Sequence, residues 1–267
     1  MKQWNDLIAG WRAWLIAAGR PDTTVSLRMY QLRRFAADVP RPLAVTTTQL
    51  VEWLGSHGWA IETMRSHRAA LTGFYRWLHV TGQRPDDPTA LLPPISPARH
   101  LPRPAPESVV RMGVAVTDRR VRLMIRLAAE LGMRRGEIAV IHTDDLHRDL
   151  LGWSLTVHGK GGKDRVIPIS DSLARELADR PSGWVFPGRI DGHVSAGWVG
   201  KLMSRALPVG WTPHTLRHRF ATVAYGGTRD LASVQALLGH SRPETTMRYV
   251  RLPDDAMRSA ASIAWAA

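Results

Sequence analysis

Two motifs each place an arginine three residues from a partner side chain that could take part in chemistry. Arg134 is followed three residues later by Glu137, whose carboxylate can fix the arginine rotamer through charge-assisted hydrogen bonds. His214 and Arg217 would share one helix face near a helix N-terminus, where free backbone N–H groups favour phosphate. Each motif also has an ordinary interpretation, as a surface ion pair or a space-filling histidine. His214 and His218 lack the intervening glutamate of the zincin motif, so their spacing does not support a metal site.

A glycine-rich segment over residues 159–165 contains Lys160, Lys163 and Arg165. Alternating apolar residues on both sides predict a β-hairpin, with strands around 153–157 and 166–169. A Walker phosphate loop leads into a helix, so this segment does not fit one. The tip is either a finger that enters a nucleic-acid groove or an exposed flexible turn.

The last motif is Leu-Leu-Gly-His, ending at His240, with Tyr249 nine residues after that histidine. Tyr249 is one of only four tyrosines in the chain. By itself this pattern is also typical of a tyrosine that packs on a terminal helix.

Composition narrows the class of protein. The 267 residues include 36 Lys+Arg, of which only four are lysine, against 23 Asp+Glu, a formal net charge of +13. Two explanations of this arginine excess remain open: coding bias, or a phosphate-rich partner bound by guanidinium forks. The absence of cysteine excludes disulfide scaffolds, thiol nucleophiles, iron–sulfur clusters and cysteine-type zinc sites. With no apolar run of membrane-spanning length and no signal peptide, we expect a soluble cytoplasmic protein.

The N-terminal part, residues 1–82, predicts four helices in a small all-α bundle. Thr23 or Thr24 is the expected cap of the second helix, and a threonine at 46–48 that of the third. Residues 83–106 contain eight of the 18 prolines and predict an extended linker. This linker is a spacer or lies along an anionic partner.

Residues 107–267 predict a larger domain of helices around the hairpin. A helix is expected to end near Gly132, and a new one to start near Glu137. The other helices are expected over 107–116, 120–131, 170–180, 195–207, 214–225, 230–238, 244–250 and, in the tail, 254–267.

In their order and spacing, these motifs resemble the tyrosine recombinase family, which comprises phage integrases and Xer-type site-specific recombinases. The resemblance covers most of residues 107–250 and joins the Gly-x-Arg-x-x-Glu, Gly-Lys-Gly, His-x-x-Arg and Leu-Leu-Gly-His motifs with the tyrosine. The N-terminal bundle resembles the core-binding domain of that family, and we expect no arm-binding domain ahead of it. The implied fold is mainly α with a small β-hairpin or sheet. Its four-helix core-binding bundle and C-terminal catalytic domain would form a C-shaped DNA clamp.

The resemblance implies that Tyr249 attacks a scissile phosphodiester, giving a 3′-phosphotyrosyl link and a free 5′-hydroxyl. It implies no ATP, metal or other cofactor. Arg134 and Arg217 would stabilise the phosphoryl oxygens, and Lys160 would protonate the departing 5′-oxygen.

By the same resemblance, His214 would accept the tyrosine proton or hydrogen-bond the phosphate. His240 would donate to the phosphate, and Glu137 would orient Arg134. Residues expected to contact the DNA backbone are Lys163, Arg165, Arg99 and Arg103.

The implied partner is double-stranded DNA at a specific recombination site, bound by a homo-tetramer on two sites. The tail, about 251–267, would pack on a neighbouring protomer or on its own domain. Accessory DNA-bending or directionality proteins are further expected partners, and a membrane is not.

A minimal phage or mobile-element integrase is the favoured interpretation, and an Xer-type chromosome or plasmid dimer resolvase is the alternative. A type IB topoisomerase would use similar chemistry without partner exchange. A non-catalytic DNA-binding regulator is disfavoured because all six catalytic-type positions are present.

Overall fold

The computed structural model describes residues 2–97, 102–159, 162–240, 243–247 and 249. The backbone divides into two compact units, Met1–Arg99 and His100–Ala267. Both are mainly helical, and the second contains a small antiparallel sheet, so the predicted fold class is confirmed. Among the described residues, no helix combines the length and apolar character that crossing a membrane requires.

The first unit contains the four predicted helices and a 3₁₀ turn at Pro42–Ala44. The helices are α1 Lys2–Ala17, α2 Asp22–Asp38, α3 Thr47–Gly55 and α4 Ile61–Val80. Thr46 caps α3 as expected, because its side chain accepts from the Gln49 amide and the Gln49 side chain returns the bond. The predicted Thr23 or Thr24 cap of α2 is wrong. Pro21 takes the cap position and places the Asp22 carboxylate in the first turn, where it complements the helix dipole.

Aromatic side chains form the core of the first unit. Trp4 and Phe35 are fully buried, and the Trp4 ring packs edge-on to Phe35 at 5.7 Å and stacks on Phe74 at 5.5 Å. The buried indole N–H of Trp4 donates to the Val39 carbonyl at 2.6 Å, so its burial leaves no unpaired donor. The core face of α1 is formed by Trp4, Ile8 and Trp11, which recur at helical spacing.

The stretch predicted as a linker packs at both ends. Arg84 is 8% exposed and donates to the Val45 carbonyl at 2.7 Å, within the first unit. At the other end, the Ala105 amide donates to the Thr215 carbonyl at 3.0 Å, within the second unit. Arg99 lies outside the described residues.

The second unit contains eight helices among its described residues, together with a 3₁₀ turn at Thr143–Asp145. The helices are α5 Glu107–Val114, α6 Arg119–Glu130, α7 Arg135–Ala139, α8 Asp171–Ala178, α9 Ala196–Ala206, α10 Pro213–Thr228, α11 Leu231–Leu238 and α12 Pro243–Met247. Helix α6 lies at the centre of the core, with Leu123, Met124 and Ile125 fully buried. The expected tail helix over 254–267 lies outside the described residues.

The sheet has the order β1-β2-β3, formed by β1 Leu146–Asp149, β2 Gly152–His158 and β3 Asp164–Ile169. The β2–β3 hairpin was predicted, and Leu155 and Ile167 pair in register and face the core. Strand β1 was missed because its Leu-His-Arg-Asp sequence has one apolar residue and no alternation. The missed strand β4, Pro187–Ile190, is exposed throughout and pairs only through bridges to His193 among the described residues.

Gly132 ends α6 in a left-handed conformation, with φ +63°. A Cβ at this position would clash with the Phe220 ring and lie 2.9 Å from Leu238 Cδ2. The close approach holds the α6–α7 turn, which leads into Arg134, against α10 and α11.

We predict that Gly132→Ala destabilises the second unit more than Gly162→Ala. Both positions have positive φ, which costs roughly 1–2 kcal/mol for a residue with a Cβ. Only position 132 adds overpacking, worth about 1–3 kcal/mol, because a Cβ at Gly162 meets nothing within 4 Å among the described residues. Urea denaturation measures both losses of unfolding free energy, and equal losses would show that the Phe220 contact is unimportant.

Candidate active site

Arg217 is the most deeply buried charged residue of the site, with 1% exposure. Helix α10 presents it from its first turns, beginning at a capping box between Thr212 and Thr215. The guanidinium donates to the Gly132 carbonyl, and at 2.7 Å to the Leu238 carbonyl. Burial, followed by the charge of Arg134, lowers the pKa of Arg217 to about 10, so the group remains cationic at neutral pH. A buried cation held by neutral oxygens is suited to attract an anion.

Glu137 is the carboxylate at the centre of the arginine cluster and is 5% exposed. Its Oε1 accepts from Arg134 Nη1 at 2.7 Å, and its Oε2 from the Arg134 backbone amide at 2.8 Å. Both terminal nitrogens of Arg165 donate to the same carboxylate, Nη1 to Oε1 at 3.0 Å and Nη2 to Oε2 at 2.9 Å. Arg217 Nη1 lies 3.9 Å from Oε2. The predicted Arg134–Glu137 contact is thus present, within a larger network.

Backbone carbonyls at the end of α11 complete the network. The Leu238 carbonyl accepts from both Arg217 and Arg134, the latter at 3.4 Å, and the Leu237 carbonyl accepts from Arg165 Nε at 2.8 Å. Carbonyls in the last turn of a helix carry partial negative charge, which suits cations. The chain can turn away here because Gly239 is left-handed, with φ +63°.

The electrostatics of this cluster favour an anion. Three guanidiniums and one carboxylate leave a net charge of +2. Burial by itself would raise the pKa of Glu137, but bonds and charge from Arg165, and then Arg134, outweigh burial and hold that pKa below its ordinary value. Glu137 therefore stays ionised and keeps the three cations close together at neutral pH.

His240 is held between Arg217 and Thr246. Its Nε2 lies 2.9 Å from Arg217 Nη2, and its Nδ1 lies 2.9 Å from the Thr246 hydroxyl. A guanidinium only donates, so Nε2 accepts and the proton of the neutral ring is on Nδ1. Burial, then the charge of Arg217, lowers the pKa of His240 to about 3. In this arrangement His240 orients Arg217, while the expected donation to a phosphate would require the other tautomer.

Tyr249 lies beside the same cluster, in a turn after α12. Ring-centroid distances from Tyr249 are 5.2 Å to His214 and 4.9 Å to His240, and Arg217 Cζ lies 5.5 Å from the Tyr249 centroid. The Tyr249 amide donates to the Thr246 carbonyl at 2.8 Å. The structure therefore brings together five of the six predicted catalytic side chains: Arg134, His214, Arg217, His240 and Tyr249.

His218 was not among the predicted site residues. Its ring stacks on Tyr249 with centroids 4.5 Å apart and planes inclined by 22°. Burial, then the charge of His214, lowers the pKa of His218 to about 4, so the stacked ring is neutral at neutral pH. The available signal was the i,i+4 spacing from His214, which places both rings on one helix face.

The residues predicted to contact DNA differ in their exposure and in their bonding within the protein. Lys163 is exposed, whereas the Arg165 side chain is only 10% exposed and fully engaged with Glu137 and α11. Arg165 shares the inward strand face with Ile167, and this alternation was the missed signal. Arg103 lies over the Trp211 ring at 4.6 Å. Lys160 lies outside the described residues, and the described ones contain no His, Asp or Glu cluster suited to a metal ion.

We predict that Glu137→Gln lowers the unfolding free energy by about 3–5 kcal/mol at pH 7, because buried cations lose their counter-charge. The folded-state pKa is depressed, so the carboxylate's contribution is complete above its ordinary pKa of about 4.3 and is lost as pH falls through the folded value. In urea denaturation, the gap between wild type and variant should therefore shrink below about pH 4.3.

The matched control is Glu130→Gln, which removes the more exposed partner of Arg126. Such a surface pair contributes about 0–1 kcal/mol. A loss at Glu137 no larger than at Glu130, or a gap that is constant with pH, would contradict the central role of this carboxylate.

Sequence and structure comparisons relate this chain to known enzymes. Residues 108–255 match the sequence model of the phage integrase family. Tyrosine recombinase XerD of Rhizobium meliloti is 31% identical over 233 residues, covering 76% of this chain and 74% of that protein. Tyrosine recombinase XerC of Corynebacterium efficiens is 30% identical over 263 residues, covering 89% and 84%.

The fold is also shared with a solved structure, a lambda integrase(75-356) dimer bound to a COC′ core site. The TM-score is 0.75 at 20% identity, covering 94% of this chain and 95% of that one. The family match, the two relatives and the ordered motifs agree with one another. The chain belongs to the tyrosine recombinases of the phage integrase family, enzymes of site-specific recombination that cleave and rejoin DNA through a phosphotyrosine intermediate.

Proposed function

We propose that Tyr249 is the nucleophile of this recombinase and that Arg134 and Arg217 hold the scissile phosphate. The observation that carries the proposal is the position of the Tyr249 ring, 5.5 Å from the buried Arg217 guanidinium, beside a cluster with net charge +2. A phosphodiester bound by that cluster would lie next to the phenol.

In the proposed step, a bond forms between Tyr249 Oη and phosphorus while the bond from phosphorus to the 5′-oxygen breaks. His214 accepts the phenol proton or hydrogen-bonds the phosphate, and Lys160 gives a proton to the departing 5′-oxygen. Negative charge on the equatorial oxygens is stabilised by guanidiniums that Glu137 and the Leu238 carbonyl already hold in place. Little reorganisation is then needed as the transition state forms.

The proposed substrate is double-stranded DNA at a specific recombination site. In this proposal, residues 1–82 act as the core-binding domain, 83–106 as the linker and 107–267 as the catalytic domain. Contacts with the DNA backbone are assigned to Lys163, Arg99 and Arg103. Arg165 is left out of this set because its guanidinium is bound to Glu137. Affinity should fall steeply with salt, because such contacts release counterions.

Recombination would proceed in a homo-tetramer on two sites, in the cytoplasm, with the tail near 251–267 packed on a neighbour. A minimal phage or mobile-element integrase is one biological role. An Xer-type dimer resolvase is the second, and it is supported by the two relatives, which are the tyrosine recombinases XerD and XerC. Intramolecular resolution of a plasmid with two sites, compared with integration between an attachment-site pair, separates these roles. Relaxation of a site-free supercoiled plasmid would instead indicate a type IB topoisomerase.

We predict that Tyr249→Phe abolishes the covalent protein–DNA adduct formed with a nicked recombination site, because the attacking oxygen is missing. Adduct is measured on a denaturing gel, with and without EDTA. The control is Tyr225→Phe, which removes a hydroxyl from α10 and should leave the adduct at the wild-type level. Adduct formation by Tyr249→Phe would refute the nucleophile, and its loss in EDTA would refute a metal-free mechanism.

We predict that Arg217→Lys slows single-turnover cleavage by roughly 10²–10³-fold, the usual effect of removing one transition-state donor. Lysine keeps the charge but lacks the fork that reaches Gly132, Leu238 and His240 together. Arg219→Lys is the matched control, two residues along the same helix and paired with Glu107 instead. Similar rates for both variants would contradict the proposed clamp.

A further inference from the structure

The base of the β2–β3 hairpin is closed by a histidine between two carboxylates. His158 ends β2 and pairs across the strands with Asp164, the first residue of β3. Its Nδ1 lies 3.0 Å from Asp164 Oδ2, and its Nε2 lies 2.8 Å from Asp145 Oδ1. The ring therefore joins the two strands of the hairpin to each other and to a residue outside the hairpin.

The Asp145 carboxylate is buried and already oriented by a hydrogen bond. Asp145 ends the 3₁₀ turn Thr143–Asp145, is 8% exposed, and its second oxygen, Oδ2, accepts from the His142 amide at 2.8 Å. Asp164, in contrast, is half exposed. His158 thus ties the exposed end of the hairpin to the body of the domain through a buried, already oriented carboxylate.

This link depends on the charge of the ring. Carboxylates only accept hydrogen bonds, so His158 can satisfy both partners only as the doubly protonated imidazolium. The charged groups that face the ring are Asp145 from the 3₁₀ turn and Asp164 from β3. The bond to Asp145, together with the bond to Asp164, outweighs burial and raises the pKa of His158 above its ordinary value. The double link is complete at low pH and is lost as pH rises through that raised value.

We propose that His158 is a positioning residue for the leaving-group step: it fixes the base of the hairpin so that the tip presents its proton donor to the departing 5′-oxygen. This rests on the proposed function, in which the donor is Lys160, two residues beyond His158. Beyond His158, the Gly159 amide donates to the Lys163 carbonyl at 3.1 Å, so the strand pairing continues from the His158 link to the residues that border the tip. In this proposal, the anchor at the base positions the donor through that pairing.

The test uses single-turnover cleavage at saturating protein, with an ordinary nicked site and with one carrying a bridging 5′-sulfur, a leaving group that needs no protonation. His158→Gln should be roughly 10- to 100-fold slower on the oxygen substrate, as expected for a misplaced group, and within about twofold of wild type on sulfur. His147→Gln is the matched control, because this neighbouring histidine bonds only Thr156 among the described residues. It should match wild type on both substrates.

Equal slowing of His158→Gln on both substrates would overturn the proposal. Lys160→Ala, measured in parallel, tests the proposed function separately. If its defect is the same on oxygen and sulfur, Lys160 is not the donor, while rescue of His158→Gln by sulfur would still place a donor under the control of His158.

The pH profile supplies a readout that a merely structural role would not change. The ratio of wild-type to His158→Gln rates on oxygen should be largest near pH 6 and approach 1 towards pH 9, where the wild-type ring has lost its second proton. A ratio that does not vary with pH would overturn the protonated link. Asp164→Asn, with thermal unfolding recorded for each variant, carries the same test if His158→Gln fails to fold.

Discussion

The site depends on one buried carboxylate. Glu137 holds Arg134 and Arg165 by direct hydrogen bonds and lies 3.9 Å from Arg217, so three like charges can share a small volume. Without that counter-charge, burying Arg217 almost completely would be strongly unfavourable. With it, the cluster still has two uncompensated positive charges, the electrostatic environment that the proposed binding of a phosphodiester and of its more highly charged transition state requires.

Distant parts of the chain are folded around this requirement. Gly132 gives a carbonyl to Arg217 from the end of α6, and its missing Cβ lets α10 and α11 approach. The carbonyls at the end of α11 reach all three arginines, which come from the α6–α7 turn, strand β3 and helix α10. The apolar packing of the second unit thus holds these carbonyl oxygens and guanidiniums close together.

Local sequence patterns predicted the features that interactions between residues close together in the sequence determine. The spacing of Arg134 and Glu137 predicted their contact, and alternation predicted the β2–β3 hairpin. The patterns did not reveal that His240 accepts from Arg217, because that bond depends on where α11 ends in space. The inward position of Arg165 was present in the alternation of β3, but its partners on α11 were not. Strand β1 was missed for a similar reason: pairing with β2, rather than its own apolar pattern, makes it a strand. Contacts within a motif were therefore more predictable than contacts between distant segments of the chain.

Helix α11 has a mechanical consequence for the enzyme. Its final carbonyls hold the arginines, and its Val234 and Leu238 side chains pack in the cluster that includes Tyr249. The proposed nucleophile and the arginines proposed to bind its target therefore share contacts with one short helix. A displacement of α11 would disturb both sets of contacts at once, so the proposed nucleophile and its proposed phosphate site are coupled through one helix.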